Sequence, residues 1–81
     1  MYYYDVVIDL AAIRRDAAVT QVQMAERLRQ TQGAVSQTER RTDLRLSTLA
    51  EYLTALGGRA ELTITVGENT YTYDLSEKES R

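Results

Sequence analysis

Apolar residues over the first 57 positions recur every three or four residues, which is the spacing of amphipathic helices. The earliest of these patterns predicts a first helix that is capped by Asp5 and ends near Ala18. Its predicted inner stripe consists of Val6, Leu10, Ile13 and Ala17. Because this spacing places the four side chains on one face, we expect that face to be buried.

Two shorter helices are predicted next, joined by a turn of about three residues. Thr20 is a suitable N-cap for a helix over residues 21–28, and the pair Gln30-Thr31 leads into another over residues 32–41. The side chains expected inside are Met24, Ala25 and Leu28 in the first of these helices and Val35 and Thr38 in the second.

A fourth helix is predicted to begin after Ser47, which is a good capping residue. Its apolar residues recur every three or four positions, at Leu46, Leu49, Leu53 and Leu56. Gly57 fits the left-handed backbone position that often ends a helix, so this segment is the strongest amphipathic helix in the chain.

After Gly58 the apolar residues alternate with polar ones, which is typical of β-strands. Gly67-Glu68 is predicted to form a two-residue type II′ turn, in which glycine supplies the positive φ. This turn pairs Ile64 with Tyr71, Leu62 with Tyr73 and Ala60 with Leu75. The predicted hairpin therefore has one wholly apolar face, which either covers the helices or joins a second chain.

Composition excludes several classes of chemistry. The 81 residues include no Cys and no His, which excludes thiol and imidazole nucleophiles and the zinc sites built from those ligands. Hydrophobic residues make up 43% and charged residues 27%, as in ordinary globular domains. We expect one small folded domain that is not an enzyme and has no cofactor and no metal.

Charge and hydropathy predict the cellular location of the chain and the segment that contacts its partner. Residues 11–47 carry a net charge of +3, between a start of −2 and an end of −3. No apolar run is long enough to cross a membrane, and Asp5 and Asp9 interrupt the start where a secretory signal would be apolar. The expected location is the cytoplasm, and the basic middle is the expected contact surface.

The second and third predicted helices have the spacing of a helix-turn-helix unit, which lays its second helix in the major groove of DNA. The outer face of that helix carries no acid and consists of Gln32, Gly33, Ser36, Gln37 and Arg40. Glutamine makes bidentate hydrogen bonds to adenine, which points to base reading by Gln32 and Gln37, while Gly33 lets the backbone approach closely. The arginines expected to neutralise phosphates are Arg40, Arg41 and Arg45.

This segment resembles the Cro/cI-type (Xre) helix-turn-helix family over residues 10–57. The resemblance is carried by Thr20-Gln21, Met24-Ala25, Leu28, Thr31-Gln32, Val35-Ser36 and Glu39-Arg40. A looser resemblance to small HigA-type antitoxins and related repressors adds Arg45-Leu46-Ser47-Thr48-Leu49, Tyr52 and Ala55-Leu56-Gly57-Gly58. The implied fold is mainly α, a bundle of four to five helices followed by a β-hairpin.

The family resemblance also implies individual roles. The residues that would face bases are Gln32, Gly33, Ser36 and Gln37. Gln21 would hold a phosphate and brace Gln32, with Thr31 as a further phosphate contact, and Arg14 would form an internal ion pair with Glu39.

The chain departs from the family pattern at Arg29, Gln30, Thr38 and Arg41. Arg29 stands where the family usually has Gly in the turn. A residue other than Gly held at positive φ costs on the order of 1 kcal/mol, so either the turn is remodelled or other packing outweighs the strain.

The sequence therefore predicts a homodimeric, sequence-specific repressor that binds double-stranded DNA at a palindromic operator. Its predicted parts are a helix-turn-helix domain over residues 1–57, a hairpin extension over 58–76 and a flexible tail over 77–81. The resemblance suggests the antitoxin of a type II toxin-antitoxin pair that autoregulates its operon, with a toxin protein as a further partner. The alternative is a plain Xre-type regulator with no toxin partner.

Other interpretations of particular residues remain open. Gln32 and Gln37 on an ordinary surface helix would only aid solubility, and arginines after a helix also suit its dipole. The run Tyr2-Tyr3-Tyr4 is expected to pack in a core or an interface rather than stack on bases. Glu77 and Glu79 lie in a tail that cannot hold catalytic or metal-binding groups in place.

Overall fold

The computed structural model describes residues 8–75, which form four helices and a C-terminal antiparallel hairpin. The elements in chain order are α1 (Leu10–Asp16), α2 (Gln21–Leu28), α3 (Gln32–Arg40), α4 (Leu46–Ala55), β1 (Glu61–Val66) and β2 (Asn69–Asp74). The mainly α description and the terminal hairpin are confirmed. The chain divides into two compact units, one that ends at Leu44 and contains α1 to α3, and one that begins at Arg45. The predicted boundary at residue 57 stays a prediction.

Helix α1 begins later than its apolar spacing predicts. Asp9, not Asp5, is its N-cap, and the Asp9 carboxylate accepts a hydrogen bond of 3.0 Å from the N–H of Ala12. Both residues have the chemistry of a cap, so the sequence pattern alone could not choose between them. Asp5 and Val6 lie outside the described residues.

The predicted inner stripe of α1 is also wrong in part. Leu10 is buried, whereas Ile13 is 40% exposed and Ala17 is exposed at the C-cap. The residue that shares the buried face with Leu10 is Arg14, one turn further along. An apolar pattern does not anticipate a charged side chain on an inner face, which requires a specific partner.

Helices α2 and α3 begin at the predicted threonine caps. The Thr20 hydroxyl accepts from the N–H of Gln23, whose side chain accepts from the N–H of Thr20, a reciprocal capping box. Thr31 caps α3 through the N–H of Ala34 at 3.0 Å. The buried apolar side chains of this unit are Leu10, Val19, Met24, Ala25 and Val35. The predicted inner faces of α2 and α3 are confirmed at Met24, Ala25 and Val35.

Three helices end at a residue with left-handed backbone: Ala18 (φ 61°), Arg29 (φ 58°) and Gly57 (φ 82°). At each end, two N–H groups bond back to carbonyls of the last turn, as in a Schellman motif. After α2, for example, the N–H of Arg29 donates to the carbonyl of Glu26 at 3.2 Å, and the N–H of Gln30 donates to the carbonyl of Ala25 at 2.9 Å. The turn is therefore not remodelled, and Arg29 occupies the position that favours glycine. The prediction for Gly57 is confirmed.

Helix α4 begins at Leu46 with Arg45 as its N-cap and no capping side chain. The predicted cap at Ser47 is wrong, because Arg45 already has the extended backbone of an N-cap and Ser47 lies within the first turn. Leu49 and Tyr52 are buried, whereas Leu46 is exposed. Tyr52 is thus a core residue that the leucine spacing did not reveal.

The hairpin has the predicted register. Ile64 pairs with Tyr71 and Leu62 with Tyr73, and the N–H of Leu75 bonds to the carbonyl of Ala60 at 2.9 Å. Gly67 has φ of 61° and Glu68 does not have a positive φ, as a type II′ turn requires. Alternation and turn chemistry together therefore determine this register.

Candidate nucleic-acid interface

The outer face of α3 is open to solvent and carries no acidic side chain. Gln32, Gly33, Gln37 and Arg40 are exposed, and Ser36 between them is half-buried. The only acid in α3 is Glu39, whose side chain is 4% exposed and turned away from solvent. The five predicted residues therefore form one polar face, which we call the α3 face.

Arg40 lies along the α3 face. Its Nη1 donates to the Ser36 hydroxyl at 2.7 Å, one helical turn back. The Ser36 oxygen accepts this bond, and its own O–H can still donate. The α3 face thus offers one amide at its first residue, Gln32, and a hydroxyl, a second amide and a guanidinium group over its second half, at Ser36, Gln37 and Arg40.

Behind the α3 face, Arg14 of α1 and Glu39 of α3 form a buried ion pair. Nε of Arg14 donates to Oε2 of Glu39 at 2.7 Å, and Nη2 donates to Oε1 at 3.3 Å. Nη1 of Arg14 donates to the carbonyl of Val19 at 3.0 Å. All three guanidinium nitrogens are therefore bonded, as a buried arginine requires.

The ion pair continues through two glutamines to the surface. Nε2 of Gln21, the first residue of α2, donates to Oε1 of Glu39 at 3.0 Å. Oε1 of Gln21 accepts from Nε2 of Gln32 at 3.2 Å. We call Arg14, Glu39, Gln21 and Gln32 the polar chain. It links α1, α2 and α3 and ends on a predicted base-reading residue.

The predicted phosphate contacts fall in both units. Gln21 is half-buried, while Thr31, Arg40 and Arg41 are exposed in the first unit. Arg45 is exposed and belongs to the second unit. The first four residues lie within or next to α2 and α3, so that unit by itself presents donors and positive charge beside the α3 face.

Sequence reasoning missed two contacts in this region. Spacing did not indicate that the Val19 carbonyl accepts from Arg14, because a backbone acceptor has no residue signature. The bond from Gln21 to Glu39 was missed because it joins residues 18 positions apart. The signal available was the co-occurrence of a glutamine at the start of α2 and an acid late in α3.

Two other features are absent from the described part of the chain. Residues 8–75 hold no group of three or more side chains that could bind a metal ion. None of the helices among these residues combines the length and the apolar character needed to cross a bilayer. Tyr2, Tyr3, Tyr4, Glu77 and Glu79 lie outside the described residues.

A comparison of the chain with protein-family models finds no match, and none of the curated proteins matches it significantly. Function therefore has to be inferred from the residues and the geometry of the α3 face.

Proposed function

We propose that this chain is a sequence-specific DNA-binding repressor of transcription, built on a Cro/cI-type helix-turn-helix and acting as a homodimer. The observation that carries the proposal is the α3 face, which is exposed, polar and free of acids. It lies on the second of two short helices joined by residues 29–31. In helix-turn-helix proteins the second helix of this pair enters the major groove.

Electrostatics supports the same function. DNA presents a dense row of phosphates, so an outer face without negative charge favours the approach of a reading helix. Glu39 is the one acid of α3, and its charge is buried and paired with Arg14. Arg40 and Arg41 remain exposed at the end of the helix, where they are available to phosphates.

The α3 face divides into groups that specify and groups that position. Gln32 and Gln37 carry amides that pair with base edges, and Gly33 leaves space for close approach of the backbone. Gln21, Thr31 and the arginines contact phosphates. Two copies of the chain place their α3 helices in successive major grooves, about 34 Å apart, on a palindromic operator.

The test begins with duplexes of random sequence, from which the purified chain enriches its preferred site. Gln32→Ala and Gln37→Ala are each expected to reduce discrimination at one base pair per half-site by about 1 to 3 kcal/mol. Gln30→Ala removes an exposed glutamine of the connection and serves as the matched control. If neither α3 variant changes the preference among operator variants, the base-reading assignment is wrong.

Arg40→Ala tests the phosphate contacts separately. It is expected to weaken binding to all sequences alike and to reduce the dependence of affinity on salt. Arg15→Ala, which removes an exposed arginine of α1, is the control. A loss confined to particular sequences would contradict the phosphate assignment.

A second candidate function, the antitoxin of a type II pair, is favoured by the hairpin. Its apolar face includes Ile64, Tyr71 and Tyr73, which are 39%, 45% and 52% exposed within a single chain. Side chains of this kind are suited to a protein partner in addition to DNA. Co-expression with the neighbouring gene product tests this candidate, because an antitoxin relieves the growth arrest that a toxin causes. If no neighbouring product arrests growth, the plain Xre-type regulator remains.

A further inference from the structure

We propose that Glu39 makes Gln32 select adenine over guanine, because its carboxylate fixes the orientation of the amides of Gln21 and Gln32 in turn. The inference rests on the proposed function, in which Gln32 contacts a base edge. Glu39 itself is a positioning residue, since its side chain is buried behind the α3 face.

The first link is the bond between Glu39 and Gln21. An ionised carboxylate accepts hydrogen bonds and cannot donate them. Glu39 accepts from Arg14 and from Nε2 of Gln21, at 2.7 and 3.0 Å. Gln21 must therefore direct its NH₂ group at Glu39, and its orientation is determined by chemistry rather than by packing.

The second link is the bond between the two glutamines. With its NH₂ group directed at Glu39, Gln21 presents only Oε1 to its other neighbour. Gln32 must then donate to this oxygen, as it does through Nε2 at 3.2 Å. Toward the outside, Gln32 presents its own Oε1 as an acceptor and its second N–H as a donor.

The third link is the match to a base. In the major groove adenine offers the N7 acceptor and the N6 donor, whereas guanine offers two acceptors, N7 and O6. One acceptor and one donor on Gln32 complement adenine. Against guanine, the same orientation places the Gln32 oxygen opposite O6, which is unfavourable. A reversed amide would present two donors outward and would suit guanine.

Replacing Glu39 with glutamine is expected to reverse the direction of the hydrogen bonds that join positions 39, 21 and 32 in the polar chain. The new amide keeps its oxygen toward Nε of Arg14, the shorter contact at 2.7 Å, and gives up the longer one from Nη2 of Arg14 at 3.3 Å. Its NH₂ group then faces Gln21, which must present its oxygen there and its NH₂ group to Gln32. Gln32 in turn directs its oxygen inward and its two donors outward.

The experiment measures dissociation constants for duplexes that differ only at the base pair where Gln32→Ala abolishes discrimination. For Glu39→Gln, the preference for adenine over guanine at this position is expected to fall by about 10-fold. Preferences at the other positions are expected to stay unchanged. Circular dichroism and urea unfolding check that each variant is folded.

The double variant Gln21→Glu/Glu39→Gln provides the rescue. It places an acceptor-only group at position 21, so Gln32 must donate inward again, and the preference for adenine is expected to return. Affinity for every sequence is expected to fall, because the new negative charge replaces Gln21, which is itself a predicted phosphate contact. A residue that served only to stabilise the fold would not give this reversal and recovery at one base pair.

A further variant, Gln21→Met, interrupts the polar chain and leaves the ion pair of Arg14 and Glu39 in place. It tests the connection from Glu39 to Gln32 if Glu39→Gln does not fold. Its preference for adenine is also expected to fall. If the preference survives in Glu39→Gln and Gln21→Met, or if the double variant does not restore it, the inference is overturned while the repressor function stands. If the unaltered chain enriches no duplex, the proposed function fails and the inference fails with it.

Discussion

At the scale of single residues, Arg29 carries backbone strain that a substitution can remove. Its φ of 58° lies in the left-handed region, where a side chain costs on the order of 1 kcal/mol relative to glycine. Arg29→Gly is therefore expected to raise the free energy of unfolding by up to about 1 kcal/mol, measured by urea denaturation. Ala18→Gly, at φ 61°, is expected to act in the same direction.

Ala12→Gly is the control matched to Ala18→Gly, because Ala12 lies inside α1 with ordinary helical backbone. The same change of side chain is expected to lower stability there by about 1 kcal/mol. A loss of stability for Arg29→Gly, equal to that of the control, would show that the Arg29 side chain contributes more than its strain costs.

The buried ion pair yields a second prediction at this scale. Glu39→Ala leaves the Arg14 guanidinium buried without its carboxylate partner, and the expected loss of stability is about 3 to 5 kcal/mol. Arg14→Met/Glu39→Leu removes both charges and fills similar volume, so its expected loss is much smaller. The free energies of unfolding of the two variants are measured by urea denaturation. Equal losses would mean that lost packing, not an unpaired buried charge, accounts for the destabilisation.

Individual residues were the least predictable part of the molecule. The family resemblance suggested the pair of Arg14 and Glu39, whereas the apolar spacing of α1 placed Ile13 and Ala17 inside instead. Spacing records which residues are apolar, but burial of a charge depends on a partner 25 positions away. Such a contact exists only once the helices are packed.

At the scale of elements, one residue of α3, Gly33, is expected to lower stability and, in the proposed function, to allow close approach to DNA. Gly33 lies in the first turn of α3, and a methyl group there would meet no atom closer than Oγ1 of Thr31 at 3.9 Å. Gly33→Ala is therefore expected to raise the free energy of unfolding by up to about 1 kcal/mol. In the proposed complex with operator DNA the added methyl group would occupy the space that the backbone needs, so affinity is expected to fall.

Measuring both quantities on one protein distinguishes the two effects. Ala34→Gly, at the next position, serves as the reciprocal control and is expected to lower stability. If Gly33→Ala stabilises the chain and leaves operator affinity unchanged, the α3 helix does not approach the bases closely at this residue.

Elements were predictable where two local signals agreed. Helix α2 has both a capping threonine and an amphipathic pattern, and the hairpin has both strict alternation and a glycine at its turn; these elements lie where they were expected. The starts of α1 and α4 rested on one capping residue each, and both were misplaced. Capping preferences differ by only about 1 kcal/mol, which does not fix a boundary when another residue can serve.

At the scale of the whole molecule, the candidate site could be predicted only as a pattern. The sequence indicated that the glutamines of α3 share a face with Arg40, and they do. The family resemblance implied two links behind that face, the contact of Gln21 with Gln32 and the pair of Arg14 with Glu39. The bond from Gln21 to Glu39 that joins them into one chain was not indicated, since these residues meet only after α2 and α3 have packed. Surface periodicity is local information, whereas the support of a site is tertiary.

Dimerisation through the apolar face of the hairpin, with a second copy of the chain rather than a toxin on that face, is the remaining prediction at this scale. A two-stranded hairpin is marginal alone, and the apolar side chains on one face of this hairpin are 39% to 62% exposed at Ile64, Val66, Tyr71 and Tyr73. Ile64→Thr keeps a β-branched residue that suits a strand but removes apolar area from that face. We expect the variant to dissociate into monomers at concentrations where the unaltered chain is a dimer, as measured by analytical ultracentrifugation.

If the chain is the proposed dimeric repressor, loss of the dimer has a measurable consequence on DNA. Each monomer then binds one half-site, so affinity for the full operator is expected to fall by about 100-fold or more, while affinity for an isolated half-site is unchanged. Thr63→Ser, on the opposite face of β1, is the control and is expected to leave both quantities unaltered. If the Ile64→Thr variant stays dimeric, the subunit contact lies elsewhere. If the unaltered chain binds the full operator as a monomer, the proposal of a dimer is wrong.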